Sequence, residues 1–324
     1  MARATPRLAP VRDGAAAMSA SLSIFTTCKP FRGAAARAQS NALESWSRMR
    51  PRPEVLVFGK EAEGVEACRA SGARSIPELA CTPFGAPLLP ALVEGAEREA
   101  SGEVLALANA DIVLTSSLPA AIATVADRFE RWLLVARRWN VALDERLDFS
   151  APDWAGRLAA RARREGTLEP PWGGVDVFAF PRGAFGDEPL PPFALGRGRW
   201  DSGILFQARR RGLAVIDATA VVIAIHPDHG YDHHPEGRSS VFGGPDSLRN
   251  ERLLGGAPFV FSALNATHVL SAGGLRPQRL RHPVLVLRRL ATLPALDPRL
   301  RGLAPVVSAL APLWRGARRL AGGR

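Results

Sequence analysis

The chain has 324 residues, 47% of them hydrophobic, and a net charge of +11, which suits one large α/β domain or two small ones. No apolar run reaches the roughly 18 residues of a membrane-spanning helix, so a soluble protein is expected. Nucleic acid is set aside as a partner: Arg276 to Arg324 holds eleven arginines and one acid, Asp297, so the rest of the chain is close to neutral, and it shows no basic groove interleaved with aromatics.

Residues 1–20 contain arginines and small residues without a compact apolar segment, and they read as a loose, disordered leader or an upstream start ahead of Met18. LSIFT (22–26) is the first strand, followed by a helical stretch over 34–48. Then come EVLVF (54–58), a helix over 64–71, a helix over 88–100, VLALA (104–108), a helix over 118–129 and WLLVA (132–136). This alternation predicts an α/β fold with a mostly parallel sheet covered by helices on both faces. VDVFAF (175–180), LAVID (213–217) and VVIAI (221–225) follow in a part richer in Pro and Gly, where antiparallel strands and site-forming loops are expected. Cys28, Cys68 and Cys81 form neither a C-x-x-C pair nor an even framework, which fits a reducing cytoplasm.

Ligands of open α/β sheets bind beyond the carboxyl ends of the strands. Asn109 and Asp111 stand at the end of VLALA, and Thr26, Thr27 and Lys60 follow the first two strands. A carboxylate in that place can hold a metal or a polar ligand, and it can equally cap a turn. AIHPDHGYDHH (224–234) adds His226, His229, His233 and His234 with Asp228 and Asp232, a donor set for a divalent transition metal, with His226 best anchored at the strand end. GRGRWDSGILFQARRRG (196–212) places Trp200 and Asp201 behind a glycine loop and ahead of a short helix whose inward stripe is Ile204, Leu205 and Ala208. Asp201 stands where an N-cap is expected. It is also a candidate to accept a proton from a substrate hydroxyl, with the indole supporting a sugar face. Asp176 is a weaker contact candidate, and Arg137 and Arg138 either line the same cleft or end a strand.

In this order the three signals resemble the GT-A fold, the nucleotide-diphospho-sugar transferase group, over residues 22–275, and LSIFTTCKPF followed by QSNALESW is similar to the nucleotide-side opening of bacterial family-2-like members. Asn109-Ala110-Asp111 stands at the family's Asp-x-Asp, Trp200-Asp201 at its later acidic motif and His226 at its late metal ligand. The resemblance implies a hexosyltransferase that moves a sugar from a nucleotide-sugar donor to a hydroxyl of a glycan, lipid-linked or small-molecule acceptor. It implies Mn²⁺ or Mg²⁺ on Asp111 and His226, Asp201 as the base of an inverting transfer, and Thr26, Thr27, Lys60, Asn109 and Trp200 on the donor side. Asn109 departs from the family's usual first Asp, and Asp201 lacks neighbouring acids. Two other functions fit the same residues: a metal-dependent phosphoester hydrolase using the 226–234 cluster, and a nucleotide-sugar-binding module without turnover.

The organisation expected is a leader (1–20), a GT-A-like domain (21–275) and a basic, Pro-interrupted tail (276–324). The tail alternates arginines with apolar stretches and has two readings. Either it lies on the inner membrane surface with its apolar residues in the interface, or Val284, Leu285, Val286 and Leu287 pack on the domain while the arginines face water.

Overall fold

The computed structural model describes residues 20–59, 62–228, 242–279 and 283–310. Strands β1 (Leu22–Thr27), β2 (Glu54–Phe58), β3 (Arg74–Ile76), β4 (Val104–Ala108), β6 (Trp132–Ala136), β10 (Ala214–Asp217) and β12 (His268–Ser271) run one way. β9 (Val177–Pro181) is inserted antiparallel between β4 and β6, and β13 (Gly274–Pro277) closes the edge antiparallel to β12. The resulting order is β13-β12-β10-β6-β9-β4-β1-β2-β3. This is the mostly parallel sheet that the GT-A resemblance implies.

Its central strands are apolar throughout because both faces are covered. Along β4, Leu105 and Leu107 join one core while Val104, Ala106 and Ala108 join the other. The first core is completed by helices α3 (Leu89–Glu99) and α6 (Trp200–Arg210), the second by α1 (Gly33–Ser47), α2 (Ala62–Ser71) and α4 (Ser117–Ala126). Leu105 is fully buried, so truncating it to Ala would cost about 2–5 kcal/mol.

A smaller sheet, in the order β5-β11-β7-β8, combines β5 (Val113–Leu114), β7 (Trp139–Val141), β8 (Thr167–Leu168) and β11 (Ala224–Pro227) under α5 (Trp154–Glu165). The strand expected at 221–225 is displaced. Val221 and Val222 turn back onto the Ala218 carbonyl, and extended pairing begins only at Ala224, where β5 and β7 offer their edges. Helix α7 (Pro245–Leu254) and helix α8 (Pro283–Leu296) follow.

The tail does not pack as the second reading expected. Val286 and Leu287 are 38% and 49% exposed while Arg288 is buried; Leu285 is half-buried, and the Val284 side chain lies outside the described residues. Residues 1–19 and 311–324 also lie outside them.

Candidate functional site

The carboxyl ends of β1, β4 and β6 and the start of β9 meet at one end of the sheet. Antiparallel pairing sets Ala108 opposite Val177, so Asn109 leaves β4 where Asp176 enters β9. Ile112 N–H donates to the Asn109 carbonyl, closing a tight turn that presents Asp111. Helix α1 pins this turn: the buried Trp46 indole donates to the Ile112 carbonyl at 2.9 Å, and Ser45 Oγ accepts from Leu114 N–H at 3.1 Å.

Asp111 is buried, and among the described residues Lys29 and His226 stand against it. Lys29, in the loop after β1, brings Nζ to 3.0 Å from Oδ2, and His226 Nε2 lies 3.8 Å from the same oxygen. The secondary sheet explains the histidine: β11 pairs with β5, and the register Ile225↔Val113 carries His226 alongside the Asp111 turn. Lys29 is held through its backbone. Gln39 of α1 accepts from Lys29 N–H at 2.6 Å and donates to the Lys29 carbonyl at 3.0 Å. Its side chain remains 41% exposed.

Asp176, the next carboxylate along, is fixed differently. Arg138, two residues beyond β6, places Nη1 at 3.0 Å from both Asp176 oxygens, and Asn109 Nδ2 donates to Oδ1 at 2.7 Å. Arg138 is steadied in turn by Asn140 at 2.9 Å and by Glu169 at 3.7 Å. Burial pushes the Asp176 carboxyl up to about 6, against the pull of Arg138; the Asp111, Asp201 and Glu169 charges push the same way as burial. The three aspartates therefore share one electrostatic neighbourhood. The amide at 109 also acquires a reason, since an Asp there would set two carboxylates at hydrogen-bond distance.

Asp201 is not an N-cap. The cap position is Arg199, in the left-handed region at φ 77°, and Asp201 lies inside the first turn of α6. Its carboxylate accepts from Val175 N–H at 3.3 Å. Burial raises its pKa, opposed by the hydrogen bonds of the Ser202 and Val175 N–H groups. Helix α6 seats closely because Gly203 faces the Phe193 ring, where a Cβ would stand 2.4 Å from a ring carbon.

The structure brings Asn109, Asp111 and His226 to one turn, with Asp201 reaching the same group through its charge on Asp176, and separates others from them. Trp200 is only 6% exposed and packs against Phe178 with ring centroids 5.2 Å apart, so its indole is core rather than a platform for a sugar. Thr26 is buried within β1, its hydroxyl turned to the Thr27 carbonyl at 3.4 Å; Thr27 lies at the strand tip, half-buried. Lys60 and the 229–234 part of the histidine cluster lie outside the described residues. Among the described residues no group of three or more His, Cys, Asp or Glu forms a metal cage. Lys29, Arg138 and Glu169 are the site residues that sequence reasoning passed over or left undecided. For Lys29 the available signal was its place just after a strand's carboxyl end, the same that marked Thr26 and Thr27.

No family model matches the chain, and no curated protein matches it. Among solved structures it is similar to glucosyl-3-phosphoglycerate synthase of Mycobacterium tuberculosis, with 17% identity, TM-score 0.39, and coverage of 66% of this chain and 75% of that one. The same enzyme in complex with Mn²⁺ and UDP-glucose matches at 15% identity and TM-score 0.39, over 66% and 73% of the two chains. A mannosyltransferase of Pyrobaculum calidifontis in complex with GDP-Man and Mn²⁺ matches at 16% identity and TM-score 0.44, over 95% of this chain and 90% of that one.

Proposed function

We propose that this protein is a glycosyltransferase of the hexosyl type, moving a sugar from a nucleoside-diphosphate sugar to an acceptor hydroxyl with inversion. The observation that carries the reading is the pairing, at the ligand-binding end of the sheet, of a cation-seeking carboxylate with a separate carboxyl of raised pKa. Asp111 already has Lys29 Nζ against it at 3.0 Å, so its surroundings accept a positive charge. Asp201 stands apart from that ion pair, near Asp176.

One carboxylate and one imidazole suit Mn²⁺ or Mg²⁺ when the remaining positions go to diphosphate oxygens and water. Asp111 and His226 would hold the ion, which when bound supplies Lewis-acid stabilisation of the departing diphosphate. Lys29, on a flexible stem, can turn its ammonium from Asp111 to a phosphate oxygen and so counter the same charge. Asp201 accepts the proton of the attacking hydroxyl, and its raised pKa makes it a stronger base than an ordinary aspartate. Asp176 and Arg138 tie the start of β9 to the loop after β6 and so keep the wall of the site in place. An acceptor attacking from the Asp201 side, opposite the leaving diphosphate, gives inversion.

The test is thermal denaturation of the full chain with UDP, GDP and their sugars, with and without Mn²⁺, beside an assay of sugar release. Nucleoside diphosphate should raise Tm in a Mn²⁺-dependent way, and Asp111→Asn should abolish the metal dependence without unfolding the protein. Stabilisation by Mn²⁺ alone, joined to phosphoester hydrolysis, would replace this reading with the hydrolase one.

A further inference from the structure

Helix α8 is amphipathic the wrong way round for a helix docked on a soluble domain, which ordinarily buries its apolar stripe. Its inward face carries Arg288, Thr292 and Ala295, all buried. Arg288 Nε donates to Asn265 Oδ1 at 3.2 Å, and Asn265 Nδ2 donates to Thr292 Oγ1 at 3.1 Å. Asn265 is itself fixed, accepting from Ser262 N–H at 3.1 Å. Arg289 donates to the Ala266 carbonyl. These polar ties set the rotation of the helix about its axis, and the opposite face is left with Val286, Leu287, Leu290 and Leu293, between 38% and 56% exposed. The pattern continues past the next turn, where Leu303, Val306 and Leu310 are 52%, 57% and 52% exposed.

We propose that this face docks on an anionic lipid surface. The charge of the same segment selects the occupant: among its described residues Arg276, Arg279, Arg299 and Arg301 are exposed, and Asp297 is the one acid between 276 and 324. A second copy of the same surface would bring two such basic segments together and be repelled. An anionic bilayer offers apolar depth for the leucines and negative headgroups for the arginines. No helix of the described residues is long and apolar enough to cross a membrane, so α8 lies on the surface and does not span it. Docking of this kind is independent of the transfer reaction and would hold the site near acceptors carried on lipid.

Flotation of the full chain with vesicles of phosphatidylglycerol or of phosphatidylcholine tests it. Binding to phosphatidylglycerol should exceed binding to phosphatidylcholine by about tenfold or more, since each basic residue near an anionic surface adds roughly 1 kcal/mol, and high salt should reduce it. The triple variant Leu287→Ser, Leu290→Ser, Leu293→Ser should lose at least about tenfold in phosphatidylglycerol affinity with its melting curve kept, because those side chains face outward. Arg299→Glu with Arg301→Glu should independently remove the salt-sensitive part. Failure of the wild type to float with phosphatidylglycerol, or equal flotation of wild type and triple variant, overturns the proposal. So does a wild-type dimer, seen by sedimentation, that the triple variant splits.

Discussion

Two carboxylates on neighbouring strands, Asp111 at the end of β4 and Asp176 at the start of β9, are neutralised in opposite ways. Asp111 is met by an ammonium on a four-carbon stem, 41% exposed. Asp176 is met on both oxygens by one guanidinium nitrogen and on one oxygen by an amide, with the guanidinium braced by two further side chains. A ligand can displace the first partner by turning a few rotatable bonds. Displacing the second would strand a buried charge. The difference divides one acidic site into a movable half fit for an incoming diphosphate and a fixed half that preserves its shape.

The largest effect should come from Asp201, which borders the fixed half without belonging to its ion pair. Asp201→Asn should lower sugar transfer by about 10²–10⁴-fold, the usual worth of a positioned base, while nucleotide-sugar binding measured by calorimetry stays within about twofold of wild type. Equal loss of binding and turnover would mean that the two halves are not separable.

Next in size is the contrast between the two cations. Arg138→Met leaves Asp176 buried without its main counter-charge and should cost about 3–5 kcal/mol in urea unfolding. Lys29→Met removes a 41% exposed ammonium and leaves His226 beside the buried Asp111, so it should cost less, about 1 kcal/mol, with its main effect on diphosphate affinity. Similar shifts in the denaturation midpoint would erase the distinction.

A pH titration sharpens the same contrast. Asp176 has a folded pKa of about 6, above the roughly 3.9 of an unfolded aspartate. Below pH 4 the carboxyl is protonated in both states and contributes nothing. As pH rises through 4 to 6 the unfolded chain releases its proton first, so the folded state loses stability, on the order of 1–3 kcal/mol by the top of the window. Asp176→Asn lacks this loss, and its stability relative to wild type should climb from pH 4 to pH 6 and then level. A flat difference across the window would show that Arg138 keeps Asp176 ionised throughout.

Much of this arrangement was legible in the sequence where a strand is buried on both faces. LSIFT, EVLVF, VLALA and WLLVA are mostly apolar, with Ser23 and Thr26 the buried polar exceptions in the first, and each forms a strand over almost the residues expected. Short elements such as β5, β7 and β8 were not legible, because two or three residues of mixed character become strands only when partners are delivered by distant chain. The site follows the same rule. Asp111 and Asp201 stood out through local context, and His226 through its strand end. Lys29 owes its role to Gln39, ten residues away, and to Asp111, eighty-two away, and no local pattern encodes that meeting. Trp200 looked like a ligand platform because it stands beside Asp201 behind a glycine loop, yet Phe178 of β9 claims its ring. Helix α8 misled in the other direction: its apolar periodicity says which residues share a face, while Asn265 decides which face turns inward.

The smallest expected effect tests whether the movable half is positioned or merely loose. Gln39 is buried and grips both main-chain groups of Lys29, so the ammonium swings from a fixed root. Gln39→Leu keeps the volume but removes both bonds, leaving two main-chain groups to find water, and should cost about 1–2 kcal/mol of stability. If the root matters, nucleoside diphosphate affinity should fall a few-fold in this variant although Lys29 is still present, and Lys29→Met made on top of Gln39→Leu should then add less than it does alone, because the two act through one group. Additive losses in the double variant would show that Lys29 finds its phosphate from any backbone position, and that the grip of Gln39 serves the loop rather than the site.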